Sequence, residues 1–228
     1  MDRLGAALLG LFAVVGGESV VPDRQTYMAD VAAGTVKYQL PEATGPIEES
    51  VEAFHIMRRQ VSQAEYAACV RDGGCKALDK PWHESRDGRR PVVGLSWLDA
   101  KAYAQWLSAS TGNRHRLPRY AEWLHAVGPD YVMDQPLADA AANPASEQAQ
   151  QRLLRFTKQG SSGALSLAEN VWEWTDTCFA GAADGACGAH IAAGRHLSAL
   201  SDLERDPVAG AASAGAVPTH VGLRLVRE

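Results

Sequence analysis

Four cysteines in two close pairs constrain this chain more than any other feature of its sequence. Cys69 and Cys75 bound the segment CVRDGGC, and Cys178 and Cys187 bound the segment CFAGAADGAC. Each pair encloses glycine-rich, turn-forming residues, a spacing typical of short-loop disulfides in an oxidising compartment. A zinc site made of all four cysteines is the alternative, although neither spacing matches the short C-x2-4-C ligand pair. We therefore expect two local disulfides and an exported protein.

The first residues of the chain also indicate export. After Asp2 and Arg3, residues 4–15 are apolar or small and carry no charge. The run is shorter than the roughly 20 residues of a membrane-spanning helix, but it fits the apolar region of a secretory signal. We predict that residues 1–17 are a signal peptide and that residues 18–228 form a periplasmic or secreted domain with no stable membrane insertion. A buried N-terminal element or an uncleaved anchor is the alternative.

The overall composition limits the classes of partner. The 228 residues carry a formal net charge of -5, and 46% of them are hydrophobic and 21% charged. This balance is typical of a globular protein with a sizeable core. The chain has no block of like charges, so we expect no binding of nucleic acid and no basic surface for an anionic membrane.

Helix start and stop signals are clear in the first half of the chain. Ser62 with Glu65 three residues later, and Ser96 with Asp99, both fit the capping pattern of a helix N-terminus. Gly112 suits the end of the second helix. A short strand to Leu117, a break at Pro118 and a further helix through Trp123 are expected next, followed by a long excursion over residues 129–162.

Several stretches, in order, resemble one family. The segment PVVGLSWLDAKAYAQWLSASTGNRHRLPRYAEWLHA (91–126), the motif ENVWEWT (169–175) and the closing HVGLRLVRE (220–228) are similar to motifs of the formylglycine-generating enzyme, or sulfatase-modifying factor, family. With the opening strand and helix, the resemblance covers residues 31–228. It implies an α+β, C-type-lectin-like single domain with little regular secondary structure.

The resemblance also implies a role for the tryptophan-rich motif. In the family it lies in a central strand, so Trp172 and Trp174 are expected in the core. The family binds calcium through oxygen ligands here, and calcium takes six to eight such ligands. At the matching positions of this chain, Ser166 would offer its side chain and Glu173 its carboxylate. Glu169 and Val171 would offer their backbone carbonyls. Ser166 stands where the family has asparagine, and Glu169 where it has glycine.

The chain departs from the family at its catalytic centre. Active members hold copper with two cysteines after an R-G-G-S motif, and thiolates are the ligands that suit Cu(I). The matching motif here begins at Arg195 and His196, and no cysteine follows it. We therefore expect no copper site of the family type and no sulfatase activation.

Two functions remain at this point. The first is an exported, non-catalytic binding or accessory protein that assists or inhibits another exported protein. The residues proposed to bind this partner lie in the loop ending at Arg90 and in the former R-G-G-S motif; they are Trp82, His83, Arg86, Arg89, Arg90 and Arg195.

The alternative is a metal- or oxygen-dependent oxidative modifying enzyme of the pigment- or siderophore-maturation type. Its candidate ligands are His190, His196 and His220, with a carboxylate from Asp202, Glu204 or Asp206 in a 2-His-1-carboxylate set. The competing interpretation is that these histidines lie in exposed loops.

Overall fold

Local capping residues begin two of the three helices in the described part of the chain. The computed structural model describes residues 27–38, 44–79, 88–128, 162–164, 171–181, 186–194 and 209–228. Helix α1 spans Gln63–Arg71, α2 spans Trp97–Thr111 and α3 spans Tyr120–Val127. Ser62 and Ser96 each form a capping box with the acid three residues later, and α2 ends at Gly112 in the left-handed conformation. These helix predictions are confirmed.

The described strands are short, as the resemblance implied. They are β1 (Met28–Val31), β2 (Gly34–Tyr38), β3 (Ile47–Val51), β4 (Phe54–Met57), β5 (His115–Arg116), β6 (Trp172–Gly181), β7 (Cys187–Ala193), β8 (Ala209–Ala212), β9 (Val221–Gly222) and β10 (Val226–Arg227).

These strands form three sheets. One has the order β1-β4-β10-β5, and another has the order β8-β7-β6-β9. The remaining sheet is the antiparallel pair of β2 and β3. Strand β6 is the longest and lies inside its sheet, antiparallel to β7 and parallel to β9. The tryptophan-rich motif therefore occupies an interior strand, as expected.

Side chains from these sheets and helices form two buried clusters. The first joins α1 and α2 to β6 and includes Trp172 and Trp174. The second surrounds Trp123 of α3. Trp174 is fully buried and Trp172 nearly so, and each aromatic ring buries roughly 150–250 Å². The prediction that both tryptophans belong to the core is confirmed.

A glycine of the closing motif is explained by close packing in this core. A Cβ atom at Gly222 would lie 2.6 Å from the carbonyl oxygen of Val92. Real Cβ atoms do not approach that closely, so the contact between β9 and the segment before α2 requires glycine at this position.

Both predicted disulfides are present. Cys69 and Cys75 join the end of α1 to the turn after it, with 5.3 Å between their Cα atoms. Cys178 and Cys187 join β6 to β7, with 5.6 Å between their Cα atoms. All four cysteines of the sequence are used in this way, so the zinc alternative is wrong. No helix in the described ranges has the length and hydropathy needed to cross a membrane.

Candidate functional site

A buried ion pair fixes the acid of the tryptophan-rich motif. Glu173 and Arg224 are both fully buried, and the Nε atom of Arg224 lies 3.0 Å from Oε2 of Glu173. Trp123 donates a hydrogen bond of 2.9 Å to Oε2, and the Gln60 amide donates to Oε1. Arg224 also donates to the Met57 carbonyl oxygen at 2.8 Å. The network ties β6, α3 and the segments flanking β4 and β10 together.

This network bears on the calcium hypothesis. Both oxygens of Glu173 already accept hydrogen bonds, and the adjacent guanidinium of Arg224 would repel a cation. Glu173 in this arrangement therefore does not fit the role of a calcium ligand. Val171 is buried at the start of β6, while Ser166 and Glu169 lie outside the described residues. Calcium binding stays a prediction of the sequence.

A stacked pair of rings joins α2 to β7. The rings of Trp97 and His190 lie 3.7 Å apart between centroids and are inclined by only 9°. The Trp97 indole N–H donates to the carbonyl oxygen of Thr175 at 2.9 Å, which fixes the ring against β6. The Trp97 ring is thus held to β6 by a hydrogen bond and to β7 by ring stacking.

Charged groups complete the cluster. Lys101, one turn after Trp97, pairs with Asp176 at 3.1 Å, and its Nζ atom lies 5.0 Å from the centre of the Trp97 ring. Burial lowers the pKa of His190 below its ordinary value; Asp176 opposes that shift and Lys101 adds to it. This lowered pKa favours the neutral imidazole, which suits a ring packed on an indole.

Two large hydrophobic side chains are exposed on α2 and on the loop that contacts its first turn. Leu98 is 56% exposed and Val217 is 48% exposed. The Leu98 backbone N–H donates to the carbonyl oxygen of Ala214 at 3.3 Å, so the loop 213–218 lies against the first turn of α2. The buried side of α2 is formed instead by Asp99, Ala100, Tyr103 and Ala104. We call the surface formed by Trp97, Leu98, Lys101, Asp176 and Val217, with the buried His190 ring supporting Trp97, the α2 face.

The two described candidate histidines are not brought together. His190 pairs with Cys178 on one side of β6, whereas His220 precedes Val221, which pairs with Trp172 on the other side. Two strand spacings and five residue steps put their Cα atoms roughly 19 Å apart, and the His190 ring is stacked on Trp97. In the described parts of the chain, no three His, Cys, Asp or Glu side chains are grouped to hold a metal ion.

The other predicted site residues fall partly outside the structural description. Trp82, His83, Arg86, Arg195 and His196 lie in ranges that are not described, as do the candidate carboxylates Asp202, Glu204 and Asp206. Arg89 is exposed and Arg90 half-buried. The backbone around them is held to α1, because Gln63 N–H donates to the Arg90 carbonyl oxygen at 2.9 Å.

Sequence reasoning missed the α2 face. Trp97 and Lys101 are four residues apart in a predicted helix, a spacing that puts both side chains on one face. The sequence therefore contained a signal that Trp97 and Lys101 share a helix face. It contained no signal for the pairing of Lys101 with Asp176 or the stacking of Trp97 on His190, because these contacts depend on where β6 and β7 pass the helix.

Comparison with known proteins shows which family this chain belongs to. The model of the sulfatase-modifying factor enzyme 1-like domain matches residues 19–228. The chain belongs to this family. Hercynine oxygenase of Mycolicibacterium thermoresistibile is 28% identical to this chain over 203 residues, covering 72% of this chain. The chain spans only 44% of that protein's length.

Solved structures of similar shape confirm the fold. Variable protein 1 of Treponema denticola superposes with a TM-score of 0.65 at 18% identity, covering 88% of this chain and 94% of that one. PvdO from Pseudomonas aeruginosa gives 0.62 at 20% identity, with the same two coverages. CarF gives 0.61 at 21% identity, covering 88% of this chain and 97% of that one. The sulfatase-modifying factor scaffold, an α+β domain of C-type-lectin-like architecture, is thus the fold of this chain.

Proposed function

We propose that this protein is an exported, non-catalytic binding or accessory member of the sulfatase-modifying factor family, and that it contacts another exported protein through the α2 face. The observation that carries the proposal is the exposure of Leu98, next to the half-buried Trp97, and of Val217 in the loop that contacts α2. Exposed apolar side chains next to an aromatic ring and a charged pair are typical of protein-binding surfaces.

The rigidity of this surface supports the proposal. The Trp97 ring is held by its hydrogen bond to Thr175 and by the His190 ring, so little side-chain freedom would be lost on binding. Lys101 and Asp176 flank the apolar residues with one charge of each sign. Such a mixed surface suits a folded protein partner. Export rests on the leader-like residues 1–17 and on the two disulfides.

The state of the cysteines separates this member from the family's copper oxidases. A Cu(I) site of that kind needs two free thiolates, and all four cysteines here are paired in disulfides. We therefore expect no activation of sulfatases by this chain.

The binding proposal is tested by crosslinking at the α2 face. A photoreactive residue at position 98 should capture a single partner in the exported fraction of the producing cells, and Leu98→Asp or Val217→Asp should abolish co-purification of that partner. Gln105→Asp, on an exposed position of the same helix, is the matched control and should leave capture unchanged. Equal capture by Leu98→Asp and Gln105→Asp would refute the α2 face as the contact surface.

Oxidative modification is the second candidate function, because the name of the curated relative is that of an oxygenase. It requires a redox-active metal, and the candidate ligands are His190, His196 and His220. The separation of His190 from His220 weighs against a single site that uses both.

Metal content decides between the two functions. We would measure the disulfide-intact protein by elemental mass spectrometry, and its thermal melting with and without a chelator. Iron or copper near one equivalent, lost in His190→Ala, His196→Ala or His220→Ala, would establish the oxidase and refute the non-catalytic role. Calcium alone, with a melting temperature lowered by chelator, would support calcium as a structural ion of the scaffold.

A further inference from the structure

The two disulfides lie in very different surroundings. Cys69 is fully buried and Cys75 is 9% exposed, so the disulfide after α1 is part of the first core cluster. Cys178 is exposed and Cys187 is half-buried, so the disulfide between β6 and β7 can be reached from solvent. Since exchange requires a thiolate to approach a sulfur atom, the two bonds differ in access to the attacking group.

The surroundings of Cys187 suit a reduced sulfur. Its Sγ atom lies 3.0 Å from the carbonyl oxygen of Ala189 and 3.7 Å from Nδ1 of His190. The carbonyl can accept a hydrogen bond from a thiol, and a neutral imidazole carries one N–H that can donate to a thiolate. His190 is also directly opposite Cys178 in the pairing of β6 with β7, and its ring is fixed against Trp97.

We propose that Cys178–Cys187 is a thiol-exchangeable disulfide, at which a small thiol forms a mixed disulfide with Cys178 while Cys187 is released beside His190. This inference is independent of the proposed binding function.

The step balances without a metal. The sulfur of an external thiolate forms a bond to Sγ of Cys178, the bond between Cys178 and Cys187 breaks, and its electron pair goes to Cys187. The Cys187 thiolate is stabilised by a hydrogen bond from the His190 N–H or takes a proton from solvent. A second external thiol then attacks the mixed disulfide. This step leaves both cysteines reduced and the external thiol oxidised to its own disulfide.

The arrangement assigns the roles of the two sulfurs. Cys178 is the more exposed of the pair, so it is the sulfur that an external thiolate reaches. Cys187 lies beside the His190 ring, and exchange is faster when the departing thiolate is stabilised, so Cys187 is the sulfur that leaves.

The test uses reduced glutathione on the folded, disulfide-intact protein. After graded exposure, the protein is quenched in acid, alkylated and mapped by peptide mass spectrometry. We expect a glutathione adduct on Cys178 with alkylated Cys187, formed at least about tenfold faster than any opening of Cys69–Cys75. Circular dichroism on the same samples shows that the protein is still folded.

A ring-for-ring variant tests the part played by His190. His190→Phe keeps a flat ring against Trp97 but removes the N–H, and we expect it to slow adduct formation severalfold. The matched control is His55→Phe. His55 lies on β4 and pairs with Asp30 of β1, and the rate of this variant should equal that of the wild type. An unchanged rate in His190→Phe would overturn the role of His190.

If His190→Phe does not fold, the relative opening rates of the two disulfides in the wild-type protein still test the proposal. Opening of both disulfides at the same rate would overturn it, as would an adduct found only on Cys187. Opening of Cys178–Cys187 only in denaturant would do the same.

Discussion

At the scale of single residues, the buried pair of Glu173 and Arg224 gives the sharpest test of what the tryptophan-rich motif is for. Replacing Glu173 with Gln leaves the Arg224 guanidinium buried without its counter-ion. Breaking such a pair costs about 3–5 kcal/mol. We expect Glu173→Gln to lower the free energy of unfolding by this amount, as measured by urea denaturation.

A double variant identifies the source of that loss. Glu173→Gln combined with Arg224→Met removes both charges, and replacing a buried pair by apolar groups is often close to neutral. The double variant should therefore be more stable than Glu173→Gln alone. If Glu173 were instead a calcium ligand, the single variant would abolish the effect of chelator on the wild-type melting temperature.

Sequence reasoning at this scale succeeded where partners are close along the chain. Glu65 and Asp99 were predicted as capping or structural acids, and each bonds the serine three residues before it. Glu122 likewise pairs with Arg116, six residues before it, at 2.7 Å. Trp97 and His190 are too far apart in sequence for any local pattern to join them, so their stacking had no sequence signal.

At the scale of secondary-structure elements, the N-terminal cap of α2 holds the first helical turn, which carries Trp97 and Leu98 of the α2 face. The Ser96 hydroxyl accepts a hydrogen bond from the Asp99 N–H at 3.2 Å, and Asp99 accepts one from the Ser96 N–H at 2.9 Å. Loss of an N-terminal cap costs about 0.5–2 kcal/mol. We expect Ser96→Ala to reduce the free energy of unfolding within this range in urea melts.

Ser110→Ala is the matched control on the same helix. Ser110 is exposed and bonds only to the Trp106 carbonyl oxygen one turn earlier, at 2.8 Å. It should change stability by less than about 0.5 kcal/mol. Equal losses in the two serine variants would show that the cap does not stabilise α2.

The irregular part of β6 shows why the sequence can predict a strand but not the contacts that the strand makes. Four residue steps from Trp174 to Cys178 face only two steps on β7, so the strand bulges there. In the bulge, Asp176 N–H donates to the Pro118 carbonyl oxygen, and Thr177 accepts from the Tyr120 N–H, both at 2.8 Å. Thr177 thus caps α3 from a different strand, which no spacing along the sequence reveals.

At the scale of the whole molecule, buried titratable groups set the dependence of stability on pH. Burial lowers the pKa of His115 and His190 below the ordinary 6.5. Burial is the largest single influence and would raise the pKa of Glu65 and Glu122, but the hydrogen bonds and positive charge of Arg59 and Arg116, together with further hydrogen bonds at each carboxylate, lower both pKa values below 4.5. For all four groups the unfolded chain binds protons more readily, so acid favours unfolding.

The expected profile follows from these directions. The free energy of unfolding should fall as pH drops below 6.5, where the unfolded histidines gain protons, and fall again below 4.5, where the unfolded glutamates do. Urea denaturation at a series of pH values measures both steps. His115→Gln with His190→Gln should flatten the first step and leave the second, and stability that rises from pH 7 to pH 5.5 would contradict the assignment.

The fold as a whole was predictable because family motifs occur in order along most of the chain. Their glycines and tryptophans mark packing positions, such as Gly222 against Val92 and Trp174 in the core. What the motifs do not encode is the surface on which function depends. Leu98 and Val217 are exposed where the loop 213–218 meets α2, a contact between segments more than a hundred residues apart in sequence.

The position of β10 in its sheet governs the order of events during synthesis. Residues 226 and 227 pair with β4 on one side and β5 on the other, so the ribosome must translate almost every described residue before this sheet can close. Pairing between residues so distant in sequence is slow to form. The contacts of β10 with β4 and β5 are therefore among the last of the described pairings to form, and the β1–β4 pair waits for them as an incomplete sheet.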